Sequence, residues 1–150
     1  MNPFDVKAAL LAKHARHVVM IHFPIALFMA SFTFDLLARW RGNRALATAA
    51  YHNLMAAAVA TLPAVATGLF AWHWQLGGAR LKGNLRLHLL LGLSSSGMIW
   101  LRYGWRARLQ RKPEQRLTAG YLAAQLFAAA LITLTGHLGG ILSGVEAPPG

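Results

Sequence analysis

The stretch Met20-Ile21-His22-Phe23-Pro24-Ile25-Ala26-Leu27-Phe28-Met29-Ala30 decides the fold class. It heads an apolar run from about Val18 to Ala38, and His22 is the one polar residue between Met20 and Ala30. A run of that length crosses a hydrocarbon core of about 30 Å as a helix. Three more stretches read the same way: Ala49 to Trp72, Leu85 to Leu101 and Ala119 to Leu142, the third near the lower length limit. Composition agrees, with 56% hydrophobic and 13% charged residues and a mean hydropathy of +0.41. A soluble domain carries about 25% charged residues. The sequence therefore predicts an all-α, integral-membrane, up-down four-helix bundle that forms one domain over residues 1–150. The first run reads as a retained helix and not a signal peptide. It is too long, and Arg39-Trp40-Arg41 follows it where a cleaved leader has small residues.

The formal charge of +11 points to nucleic acid until the basic residues are placed on this topology. Arg39, Arg41, Arg44, Arg102, Arg106, Arg108, Arg111, Lys112 and Arg116 fall in or beside the first and third connections. Lys7, Lys13, Arg16, Arg80, Lys82 and Arg86 fall on the other side. The positive-inside rule then sets both termini in the periplasm of a bacterial inner membrane. The run from Arg102 to Arg116 reads as a cytoplasmic anchor facing anionic lipid, not as a nucleic-acid site. Trp40, Trp100, Tyr103 and Trp105 mark one membrane level, and Trp72 and Trp74 the other.

Much chemistry is excluded. No stretch resembles a phosphate-binding loop, a nucleophile elbow, a dinucleotide fingerprint or a zincin helix. There is no cysteine, hence no disulfide, thiolate metal site or covalently tethered haem. The acidic residues are Asp5, Asp35, Glu114 and Glu146. Asp35 lies four residues before Arg39, a spacing that predicts a local ion pair and no proton relay. Met20, Met29, Met55 and Met98 read as packing or lipid-facing residues, and Gly136-His137-Leu138-Gly139-Gly140 as close packing at a helix end. Pro63 implies a kink in the second helix.

The seven histidines are the informative group. His22 opens the first helix, His73 ends the second, His88 opens the third and His137 ends the fourth. Alternating helix direction puts all four at one face, where His14 and His17 join them, leaving His52 opposite. Helical steps of four lead from His22 to Ala26 and Ala30, from His88 to Gly92 and Ser96, and back from His137 to Thr133 and Ala129. Three histidines thus stand above strips of small residues that leave room for a flat macrocycle. His73 fits this pattern less well, with Leu69 at its step of four. First and third helices are diagonal partners in a four-helix bundle, so His22 and His88 are expected to face each other as the axial pair of haem b. The plainer alternative is a set of solvated or helix-capping histidines at the interface. Spacing alone does not separate haem from copper or zinc.

His17-Val18-Val19-Met20-Ile21-His22-Phe23-Pro24-Ile25-Ala26-Leu27 resembles the opening of a bacterial four-helix membrane family, domain of unknown function 2231. Its members open with His-Pro, three residues, then His-Phe-Pro-Ile-Ala-Leu; here Val18 stands in place of the proline. Arg86-Leu87-His88 is similar to the family's start of helix three, and His137-Leu138-Gly139-Gly140 to its Trp-Leu-Gly-Gly ending of helix four. The resemblance implies fold and membrane location. It matches His22, His88 and His17 to family positions, whereas His137 stands where the family often has Trp. Some members are joined to Rieske-type iron–sulfur domains, which implies electron transfer.

The functional expectation is an inner-membrane electron-transfer protein that binds haem b near the periplasmic face. His22 and His88 are the metal ligands, with His137, His73 and His17 around the cofactor. Its partners would be the bilayer and a periplasmic or membrane redox protein, within a larger complex in some settings. One alternative is a cofactor-free membrane anchor or assembly subunit for a periplasmic redox enzyme or larger complex; another is a copper or zinc handling protein.

Overall fold

A computed structural model describes residues 15–78, 80–110 and 118–143. The described residues form four long helices and no strand: α1 (Ala15–Arg41), α2 (Arg44–Phe70), α3 (Gly83–Gln110) and α4 (Ala119–Ser143). The all-α expectation holds. Three of the helical stretches, Arg16–Arg41, Arg44–Trp74 and Ala119–Leu142, are long and apolar enough to cross a membrane. By that measure α3 is not, because His88, Ser94, Ser95, Ser96 and Arg102 interrupt its apolar residues.

Local sequence sets the first hairpin. Gly42 takes a left-handed conformation (φ 63°), which costs a residue without Cβ nothing. Asn43 then caps α2, its Oδ1 accepting from the amides of Ala45 and Leu46. With so short a connection the chain must reverse, and the contacts between α1 and α2 confirm it. Ser31 Oγ donates to the Ala50 carbonyl at 2.8 Å, while His17, fourteen residues earlier, meets Thr67 near the far end of α2. The helix α2 runs unbroken through Pro63. It closes in a π-helical turn, Ala71–Gln75, and the left-handed Gly77 and Gly78 follow.

The second half is also antiparallel. His88 meets Thr135, Ser95 meets the same threonine, and Arg102 lies on Tyr121. Between the halves, Trp100 Nε1 on α3 donates to Thr61 Oγ1 on α2 at 3.1 Å. Helices α1 with α2, and α3 with α4, share the most extensive contacts; α2 packs on α3 less, and α1 touches α4 along a thin seam.

The core is made of small residues. Ala57, Ala58, Ala128 and Ala129 pack around Phe28, Leu54, Ile99 and Ile132. Larger apolar side chains, among them Val59, Leu62, Leu101, Leu126 and Phe127, point outward. Soluble proteins distribute residues the other way. In lipid, bulky residues outside cost nothing and small ones inside let backbones approach, so dispersion and interhelical hydrogen bonds hold the helices together.

Candidate functional site

At the end of the bundle formed by the start of α1 and α3 and the end of α2 and α4, two histidines meet. The rings of His17 on α1 and His88 on α3 have centroids 6.4 Å apart and planes at 84°. Each ring is held by the helix that neighbours its own. His88 Nδ1 lies 3.1 Å from the Thr135 carbonyl of α4. A carbonyl only accepts, so Nδ1 carries the hydrogen and, in the neutral ring, Nε2 carries the lone pair. His17 Nδ1 lies 3.2 Å from Thr67 Oγ1 of α2. That hydroxyl already donates back to its helix, at 2.8 Å from the Pro63 carbonyl and 3.0 Å from that of Ala64. It therefore accepts from His17, which fixes the same tautomer. An Nδ1–H held by an oxygen of the scaffold is the support that metal-binding imidazoles use.

Two glycines make space for the rings. A Cβ on Gly68 of α2 would stand 2.9 Å from His17 Cε1, and one on Gly139 of α4 would stand 3.1 Å from His88 Cε1. Both are inside ordinary carbon–carbon contact of about 3.5–4.0 Å. All four helices thus contribute to the pair.

The structure brings together two of the five histidines singled out in the sequence. The ring standing against His88 is that of His17, not His22. His22 is exposed, and its Nδ1 bonds to the Val18 carbonyl one turn back on its own helix. The diagonal relation of α1 and α3 carries the contact, but five residues nearer the start of α1. His73 is exposed in the π-helical turn, edge-on to Trp74 at 4.5 Å, and His137 is exposed on α4. His52 lies at the other end of α2, bonded to the Thr48 carbonyl. His14 falls outside the described residues. Among the described residues no three His, Asp or Glu side chains are grouped to hold a metal ion.

The opposite end holds a buried polar cluster that sequence reasoning missed. Asp35 of α1 is fully buried and faces Arg106 of α3, with Nη2 3.1 Å from Oδ1. Oδ1 takes part in no hydrogen bond among the described residues, so the contact acts as an ion pair. Asp35 Oδ2 accepts from Tyr121 Oη and Gln125 Nε2 of α4, both at 3.3 Å. Arg106 also donates to the Ala47 carbonyl of α2 at 3.1 Å. Arg102 lies flat on Tyr121, its Cζ 3.5 Å from the ring centroid.

Two expectations are corrected here. Asp35 turns inward to Arg106 across the bundle, while Arg39 is exposed: burial selects the long-range partner over the local spacing. Arg102 and Arg106 are 1% and 6% exposed, so they are buried in the bundle and do not form an exposed surface anchor. Arg108 is exposed, and Arg111, Lys112 and Arg116 lie outside the described residues. The missed signal was a spacing: Arg102 and Arg106, four apart, occupy one face of α3.

An all-helical bundle with small residues inside, large apolar residues outside and polar clusters at its two ends is a helical membrane protein. The chain belongs to the family domain of unknown function 2231 (DUF2231), described as a predicted membrane protein, whose family model matches residues 13–146. No curated protein and no solved structure matches the chain.

Proposed function

We propose that this protein is an electron-transfer component of the bacterial inner membrane, holding haem b between His17 and His88 near the periplasmic face. The observation that carries the reading is the histidine pair itself. Two imidazoles on opposite sides of one metal ion have ring centres about 6 Å apart, given metal–nitrogen bonds of about 2.0–2.1 Å; His17 and His88 are at 6.4 Å. Haem iron asks the protein for two ligands because the macrocycle supplies four nitrogens. A zinc or copper site asks for three or four side chains, and the described residues group no such set.

Haem, when bound, supplies a one-electron iron couple. The chain does the rest. Thr135 and Thr67 hold the two tautomers, Gly139 and Gly68 leave room for the rings, and the apolar surroundings set the dielectric that tunes a potential. The positive-inside rule supports a periplasmic site, since by sequence nine basic residues lie toward the other end of the bundle and six toward this one. The electron donor or acceptor would be a periplasmic or membrane redox protein reaching that face.

The test is optical. Protein made with ample haem and purified in mild detergent should show a sharp Soret band and a reducible low-spin α band. His17→Ala and His88→Ala should each abolish the low-spin spectrum, while His22→Ala, His73→Ala and His137→Ala should retain it. Wild-type protein without a Soret band would sink the reading and leave the cofactor-free anchor or assembly subunit in its place.

A further inference from the structure

The buried cluster at the other end has an unbalanced charge. Asp35 supplies one carboxylate, and Arg102 and Arg106 supply two guanidinium groups. Arg106 has the ion pair and a carbonyl. Arg102 has neither: it is 1% exposed, and among the described residues Nε, Nη1 and Nη2 have no hydrogen-bond partner. Its stack on Tyr121 uses the flat face of the guanidinium, whereas the five N–H donors lie in the plane, where no acceptor among the described residues meets them in hydrogen-bond geometry. A buried cation with no donor engaged is costly, and in native proteins such a group is paired or functional.

A groove lies beside it on the outer face of α3, about 860 Å³ in volume. Gly97 and Gly104 form its floor, with open space where a Cβ would be. Leu101 lines it, Trp100 and Trp105 flank it, and Arg108 lies at its polar end. Trp105 is the partition between groove and cluster, its ring centroid 5.4 Å from Arg102 Cζ. It is 42% exposed, and a ligand in the groove reaches the guanidinium only if this indole turns outward.

The geometry points to a binding site at Arg102 for the phosphodiester of one anionic phospholipid, whose acyl chain lies along the Gly97–Gly104 groove. A phosphodiester brings the single negative charge that the cluster lacks, and the planar fork of Arg matches two of its oxygens. Its depth fits as well. Arg102 directly follows Leu101, where the apolar run of α3 ends, and this is the level of phosphate groups and of a Trp belt. An apolar groove leading to the cation favours a lipid over free phosphate.

The experiment is thermal unfolding of the purified full chain in mild detergent, with phosphatidylglycerol, phosphatidylcholine or inorganic phosphate added. Phosphatidylglycerol at about a hundredfold over its Kd should raise Tm by about 5 °C, and neither of the others should match it. Arg102→Gln should lose the shift. Since that variant can fail to fold, Gly104→Leu, which fills the groove without touching the cluster, should fold normally and lose the shift too. Equal stabilisation by phosphatidylcholine, a full shift with inorganic phosphate alone, or a full shift in Gly104→Leu would each overturn the assignment.

Discussion

Replacing Asp35 by asparagine tests the architecture most directly. The side chain keeps its shape, and one amide oxygen still accepts from Tyr121 and Gln125. What disappears is the only carboxylate among the described residues in contact with Arg106, at 3.1 Å, with both side chains 8% or less exposed. Breaking a buried pair by removing one partner costs about 3–5 kcal/mol, because the other charge is left uncompensated in low dielectric. In a chain of this size each kcal/mol moves Tm by about 2–4 °C, so the midpoint should fall by about 10 °C. Arg39→Gln, at an exposed position, should change stability by no more than about 0.5 kcal/mol. Heating in mild detergent, followed by size-exclusion recovery of monodisperse protein, measures both. The double variant Asp35→Asn with Arg106→Gln should lose less than the sum of the singles, since the second change removes the orphaned charge. The reasoning is refuted if Arg39→Gln lowers the midpoint as far as Asp35→Asn does, for then the local pair holds the helix end.

Three further outcomes are expected. Gly68→Ala and Gly139→Ala put a methyl 2.9 and 3.1 Å from the His17 and His88 rings, so each should shift or broaden the haem spectrum; Gly97→Ala, which meets open space, should leave it unchanged. A reporter active only in the periplasm, fused after Gly150, should be active; activity of a cytoplasmic reporter there would place the histidine pair inside. Because Arg102 and Arg106 are internal, the protein should show no sequence-specific nucleic-acid binding that survives about 0.2 M salt, where counterion release has removed most nonspecific affinity; filter binding against random pools checks it.

The fold was legible because lipid is a simple solvent: four apolar runs and short connections leave few other ways to satisfy backbone hydrogen bonds. Gathering most histidines at one end was legible for the same reason, since strand-like ambiguity does not arise and helix direction alternates. Which two meet was not. A difference of five residues, between His17 and His22, turns the side chain by more than a full turn, and the choice rests on where Thr67 and Gly68 stand on α2. The Asp35 cluster was illegible for a related reason. Its members, from three helices and up to 90 residues apart, look in sequence like a local pair and a surface charge run. Only the rotation of α3 about its axis decides that Arg102 and Arg106 point inward.

That rotation has a consequence for how the protein is made. Three stretches are apolar enough to leave the translocation channel sideways unaided, and α3 is not among them. Its His88 and Ser95 find their oxygens on Thr135, and its Arg102 finds its aromatic face on Tyr121. Every one of those partners is on α4, the helix synthesised next. The expected outcome is that α3 and α4 enter the bilayer together as a hairpin. A chain ending at Gln110 should stay in the membrane through α1 and α2 but leave the α3 segment open to protease, although every residue of the helix is already present.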